Sequence, residues 1–363
     1  MSETLQPARA VAPGEIIELE LVARGWSQRD LAEIMGRPPQ AISEIIRGVK
    51  QITPETALEL ALAFDTSPEL WINLEASFRL QQARHRRDSD DAGIATRSRL
   101  YSLLPIADLL RRGWIRAGQA PDELERAVRQ FLGGDPEQIV PAVSFRHSEV
   151  RGPEHGAQVA WVCRVRQLAH QQGVAPFDRS RLAQALPDLR RRMLRPEEVA
   201  DVPLWLQSLG VRFVIVPQLP KTYIDGAVCD PEGAPIIALT LRYDRIDSFW
   251  FTLMHELAHL VLGHRTLHLD NWDDKEQQRD EQEVAANMKA RAWLLDQHAL
   301  NTWVARTTPY FGRRAIEGFA ATQGVHPGVV LGQLMFDGTV GYRHLRGLLV
   351  KVSPFLSGWI DGE

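Results

Sequence analysis

Residues Asp247–His264 read DSFWFTLMHELAHLVLGH, with two histidines four positions apart and a glutamate directly after the first. Each residue of a helix turns by about 100°, so His255 and His259 fall one turn apart on the same side, where their imidazoles can share one ion. Glu256 lies beside them. Two neutral nitrogen ligands and a neighbouring carboxylate able to take a proton from water are the parts of a hydrolytic metal site. The metal lowers the pKa of water towards ~7 and polarises a carbonyl, while the carboxylate acts as general base and then proton carrier. Phe249, Trp250, Phe251, Leu253, Met254, Leu257, Leu260, Val261 and Leu262 surround the motif on almost every side. The helix is therefore expected to be buried, where a His or Glu lacking a partner is costly. The alternative is a plain core helix whose histidines bond to backbone groups.

A catalytic zinc takes three protein ligands and keeps one position open. His264 lies nine residues after His255, one short of the HExxHxxGxxH spacing, and Gly263 is displaced as well, so His264 reads as a helix-end residue. A better third ligand lies in DEQEVAANMKARAWLL (280–295). Glu283 there precedes a face of small residues, Ala286 and Ala290, that allows close packing on the metal helix. Asn287, one turn further on, could hydrogen-bond a ligating histidine from behind. Glu281 is the competing carboxylate, and Asp270, Asp273, Asp274 and Glu276 read as a solvated loop.

Working outward, VRFVIVP (211–217) and APIIALT (234–240) flank turn material at Asp225-Gly226 and 230–233, as expected of a small antiparallel sheet. Residues 95–200 are helical and Arg-rich, with helices predicted at 121–132, 158–172 and 179–186. A helix is predicted over about 280–295, after a polar loop at 264–279, and a helical tail follows. Residues 13–80 carry five short helical patterns, about 16–23, 31–35, 41–47, 55–64 and 68–80, before QQARHRRDSDDAG (81–93) runs into an exposed linker. The fold class is thus α+β, mainly α. The divisions are a five-helix domain (10–88), a helical middle region (89–200), a zincin-like core (201–300) and a C-terminal helical region (301–363).

The order IIALTLRYDRIDSFWFTLMHELAHLVLGH, spacer, EVAANMKARAWLL resembles the ImmA/IrrE metallopeptidases, over about residues 200–300 and back towards 140. The resemblance implies that His255, His259 and Glu283 bind zinc and that Glu256 is the catalytic base. It also implies a substrate class, since these peptidases cut a helix-turn-helix repressor and release the genes it holds down. Asp296 follows Leu295 where the family has a proline.

In SQRDLAEIMGRPPQAISEIIRG (27–48), Ser27 is an N-cap with Asp30 three residues on, Leu31, Ala32 and Ile34 face a core, and Gly36 permits a tight turn. A second short helix follows, which makes a helix-turn-helix. Its second helix would enter the major groove with Gln40, Ser43 and Glu44 nearest the base edges, and Gln28, Arg37, Arg47 and Lys50 nearest the phosphates. The segment resembles the Cro/repressor type, and with TPETALELALAFDTSPELWINLEASFRL (53–80) it is similar to the HigA antidotes, autoregulating antitoxins. Residues 1–80 hold seven basic against twelve acidic residues, so non-specific affinity for DNA should be poor. The positive charges nevertheless gather at Arg37, Arg47 and Lys50, around the groove helix. A homodimer reading two half-sites of operator DNA is expected. IEGFAATQGVHPGVVLGQLMFDG (316–338) is a fainter helix-turn-helix echo without basic surroundings, expected to pack on the peptidase domain. Trp205, Trp293 and Trp303 read as core.

The chain of 363 residues carries a net charge of −4, 44% hydrophobic and 24% charged residues and two cysteines. No apolar run approaches the ~20 residues that span a bilayer, and the start has no signal-peptide pattern, so a cytoplasmic setting without a membrane role is expected. The expected function is a repressor- or antitoxin-like DNA-binding regulator with a zinc endopeptidase domain. The peptidase would cut a helix-turn-helix repressor, in cis or in a partner, to relieve repression. The alternative is an antitoxin or transcription factor whose HExxH domain is a sensor or toxin-binding module without turnover. Tyr243, Tyr310 and His298 are candidates by type for oxyanion stabilisation.

Overall fold

The computed structural model describes residues 11–87, 90–118, 120–142, 153–229, 234–264, 268–270 and 281–362. The chain divides into two compact units, one ending at Ala95 and the other beginning at Thr96.

The first unit holds the five helices predicted: α1 (Pro13–Arg24), α2 (Gln28–Ile34), α3 (Pro39–Ile46), α4 (Pro54–Phe64) and α5 (Pro68–Arg87). Proline opens α1, α3 and α4, where its missing N–H costs nothing and its fixed φ suits the first turn. The start of α2 is a capping box: the Asp30 N–H donates to Ser27 Oγ at 3.2 Å, and the Ser27 N–H donates to Asp30 Oδ2 at 2.7 Å. Ile17, Leu21, Leu31, Ile42, Leu60, Phe64 and Trp71 close one core, whose depth comes from the helical spacing of these apolar positions. Ile34 was expected in that core but is half exposed to solvent, at 50%.

Helix α6 (Asp90–Leu103) runs across the division, and the second unit goes on with α7 (Ile106–Arg111), α8 (Pro121–Leu132), α9 (Pro136–Ala142), α10 (Pro153–His170), α11 (Arg179–Arg191) and α12 (Val202–Ser208). Then come β1 (Arg212–Ile215), β2 (Gly226–Cys229), β3 (Ile236–Leu239), α13 (Ile246–Leu262) and β4 (His268–Asp270). The unit continues through α14 (Glu281–Leu294), α15 (Gln297–Thr307), α16 (Arg313–Gln323) and α17 (Pro327–Phe336). Most of the predicted 264–279 loop, like 230–233, lies outside the described residues.

The sheet order is β1-β3-β2-β4. β2 pairs antiparallel with both β3 and β4, but β1 pairs parallel with β3, Arg212 opposite Ile236 and Ile215 opposite Leu239. The sheet is mixed where an all-antiparallel one was expected. The β2–β3 hairpin returns the chain alongside β1 in β1's own direction, and apolar runs alone do not encode strand direction. Both faces are covered. Phe213, Ile215, Val228, Ile237 and Leu239 point into a core shared with α11, α13, α14, α16 and α17. The alternate residues Val214, Val216, Ala227, Ile236 and Ala238 point into a second core with α6–α10. Strands buried on both faces read as continuous apolar text because neither face meets water.

The fainter helix-turn-helix echo forms α16 and α17, and Ile316, Phe319, Ala320, Val329, Val330 and Leu334 sink into the α13 core. Trp205, Trp293 and Trp303 pack against the same core, partly buried.

Candidate metal centre

Helix α13 is apolar on nearly all sides and is buried from Leu253 through Leu260. His255, Glu256 and His259 have no solvent exposure at all (0%), and Glu283 on α14 has 4%. The two helices pack through the small face of α14, with Ala286 and Ala290 fully buried. Alanine there lets the backbones approach closely and brings the Glu283 carboxylate onto the HExxH stripe.

The His255 and His259 Nε2 atoms lie 2.8 Å apart, and Glu283 Oε2 lies 3.2 Å from the first and 3.5 Å from the second. All three ligand atoms fall within 4.8 Å of one another. Two imidazole nitrogens and a carboxylate oxygen, converging in a buried place, form a donor set that suits a divalent ion with an open position. Glu281 is exposed on the first turn of α14 and stands outside this cluster.

Glu256 is held against strand β2. A Cβ built on Gly226 would lie 2.3 Å from Glu256 Oε1 and 2.6 Å from Thr252 Cγ2, so only glycine leaves room for the carboxylate. Phe251, one turn before His255, stacks on the His255 ring at 6.4 Å and on Phe336 at 6.0 Å.

In the first unit, α2 and α3 form the helix-turn-helix pair. Gln40, Arg47 and Lys50 are exposed, and Gln28, Ser43 and Glu44 are half-buried. Several of these side chains bond within the domain. Gln40 Nε2 donates to Glu44 Oε1 at 2.9 Å, and Arg47 Nε donates to the Ser43 carbonyl at 3.3 Å. Arg37 forks onto the Glu59 carboxylate at 2.5 and 3.2 Å, so a phosphate would compete with Glu59 for it.

A family model described as Helix-turn-helix matches residues 17–71, and a peptidase family model described as IrrE N-terminal-like domain matches residues 207–310. The uncharacterized HTH-type transcriptional regulator YddM of Escherichia coli K12 is 33% identical over 76 residues, which are 21% of this chain and 81% of that protein. The chain belongs to the helix-turn-helix regulators. Antitoxin HigA-1 of Vibrio cholerae is 34% identical over 79 residues, 22% of this chain and 74% of the relative. A solved HigA-family antidote protein from Coxiella burnetii is 34% identical, covering 22% of this chain and 88% of its own, with a TM-score of 0.21. These relatives align with about a fifth of the regulator, and the IrrE N-terminal-like match covers the region that carries His255, His259 and Glu283.

In this regulator Asn287 is partly buried, and its Oδ1 meets no hydrogen-bond partner among the described residues. A cavity of about 670 Å³ runs along the N-terminal half of α13, with Ser248, Phe251, Thr252, Tyr243 and Phe336 in its wall. Of the three oxyanion candidates, Tyr243 lines this cavity, whereas Tyr310 is 85% exposed and His298 is exposed. Sequence reasoning missed Gly226, which it reads as turn material although the residue opens strand β2, and gave His264 no part in the site.

Proposed function

We propose that the chain is an operator-binding regulator whose IrrE-like domain is a zinc-dependent endopeptidase. It hydrolyses a peptide bond in a helix-turn-helix repressor, either itself or a partner, and so relieves repression. Residues 10–88 bind DNA as a homodimer, residues 201–300 carry the peptidase core, and the helical regions 89–200 and 301–363 support that core. The chain acts in the cytoplasm. The observation that carries this reading is the burial of Glu256 beside the His255, His259 and Glu283 cluster.

His255 Nε2, His259 Nε2 and a Glu283 oxygen would hold the ion, and Asn287 would support a ligating histidine from behind. When bound, the ion supplies Lewis acidity that polarises the scissile carbonyl and acidifies water. Glu256 takes a proton from the attacking water as the new C–O bond forms. It then delivers that proton to the amide nitrogen as the C–N bond breaks. The apolar walls around α13 exclude bulk water from the carboxylate and keep it on the reacting side. Metal analysis of the purified chain tests the site. Wild type should hold one zinc, and His255→Ala and Glu283→Ala should lose it; retention in both variants would sink the enzyme half.

One observation favours a second reading. HigA-1 is named an antitoxin, and under this alternative the HExxH domain binds a toxin or senses a ligand without turnover. A binding module has no use for a general base packed beside the ligands. Glu256→Gln separates the two: metal should stay while cleavage vanishes, and identical behaviour of both proteins in cells would favour the binding module.

A further inference from the structure

The C-terminal end of α13 returns a side chain to the metal ligands. Gly263 takes a φ of 80°, in the left-handed region, where glycine carries no Cβ penalty. Its N–H bonds to the Leu260 carbonyl at 3.2 Å, and the His264 N–H bonds to the His259 carbonyl at 3.0 Å. This is the Schellman arrangement, which brings the residue after the glycine against the residue five positions before it. Other described helices end the same way, α1 and α16 among them. At α1 the Trp26 N–H bonds to the Leu21 carbonyl, and at α16 the Val325 N–H bonds to the Ala320 carbonyl. Those pairs are apolar, as the motif prefers. At α13 both members are histidine.

The consequence is a contact on the far side of a ligand. His264 Nδ1 lies 2.8 Å from His259 Nδ1, with ring centroids 4.9 Å apart and planes at 64°. The other ring nitrogen of His259, Nε2, is the one that faces His255 and Glu283. A neutral imidazole gives an ion its Nε2 lone pair only when its proton sits on Nδ1, and that N–H then needs an acceptor. His264 Nδ1 is within reach to accept it, which places the His264 proton on Nε2.

We infer that His264 is a positioning residue: it accepts the Nδ1–H of His259 and so fixes the tautomer and ring orientation of that metal ligand. The inference rests on the proposed reading that His255, His259 and Glu283 hold a divalent ion. It also explains why His264 misses the spacing of a third ligand, since its partner is a ligand's outer nitrogen and the ion itself is out of its role.

The test is zinc affinity of the full chain, read by competition with a chromophoric chelator, with the absorption spectrum of the cobalt-loaded protein as a second signature. His264→Phe keeps a ring but removes the acceptor, and His264→Ala carries the same comparison without crowding. His264→Asn restores an acceptor close to the original Nδ1. Both acceptor-free variants should lose zinc affinity by roughly 10–100-fold and show an altered cobalt spectrum, while His264→Asn should recover most of both. Equal affinity in wild type and His264→Ala overturns the inference, as does an equal loss in His264→Asn, which would mark a packing role. Wild type that binds no ion overturns the metal reading itself, and the inference with it.

Discussion

Gly226 on β2 and Glu256 on α13 touch so closely that a single added methyl group would stand 2.3 Å from the glutamate Oε1. Gly226→Ala must therefore push the carboxylate off its position, while the ligand atoms on the next turn and on α14 keep their own supports. A displacement near 1 Å costs on the order of a hundredfold in rate when a proton must pass between aligned groups. Gly226→Ala is expected to keep its zinc and lose activity on that scale, measured as metal per chain and as cleavage rate. Unchanged cleavage would show that the carboxylate has room the structure does not reveal.

The approach of α14 to α13 depends on Ala286 and Ala290, both without exposed surface. Ala290→Leu should overpack this contact and destabilise the chain by about 1–3 kcal/mol. Because the same contact carries Glu283 to the histidines, zinc affinity should fall as well. Urea unfolding of the metal-free chain and chelator competition measure the two effects separately.

His326 caps α17, its Nδ1 accepting the Gly328 N–H at 3.0 Å. Burial lowers its pKa below the ordinary imidazole value, with Glu197 opposing. The folded state thus binds its proton less readily than the unfolded chain. The contribution to stability is present above the unfolded pKa and is lost as pH falls through the lower, folded one. His326→Asn retains an acceptor and cannot titrate, so its melting temperature should fall less than that of wild type between pH 7 and pH 5. Parallel curves would remove His326 from the pH response.

Arg47 and Lys50 are exposed beside α3, whereas Arg37 is engaged by Glu59. Replacing Arg47 or Lys50 with alanine should weaken operator binding evenly across sequences and reduce the log–log salt slope by about one. Arg37→Ala should leave the slope closer to wild type and cost the domain under about 1 kcal/mol, as a partly exposed ion pair does. Fluorescence anisotropy over a range of salt, using DNA upstream of the chain's own gene, measures the slopes.

Much of this was legible because short-range chemistry writes itself into spacing. A spacing of four positions between histidines fixes one helical face, Ser27 with Asp30 spells a capping box, and the alanines after Glu283 mark which carboxylate can approach. What escaped depends on contacts between distant segments. The parallel β1–β3 pair follows from how a hairpin is laid beside a strand, and β4 is only three residues long. Gly226 meets Glu256 across 30 positions of sequence, which no periodicity encodes. The spacing of His264 speaks only to a role as ligand, and a ligand's spacing rule is blind to a partner on the outer nitrogen. The internal bonds of Arg37 and Gln40 were hidden for a different reason. The groove reading assumes side chains free to reach DNA, while on their own they find the nearest carboxylate.

The central claim is that a buried Glu256 beside a three-ligand ion site cuts a helix-turn-helix protein. The most direct measurement is a search by mass spectrometry for new N-termini in cells expressing wild type or Glu256→Gln, with zinc content confirmed for both proteins. The expected result is a new terminus within a helix-turn-helix segment, of this chain or of another, present with wild type and absent with Glu256→Gln at equal zinc. Identical termini from the two proteins would contradict it.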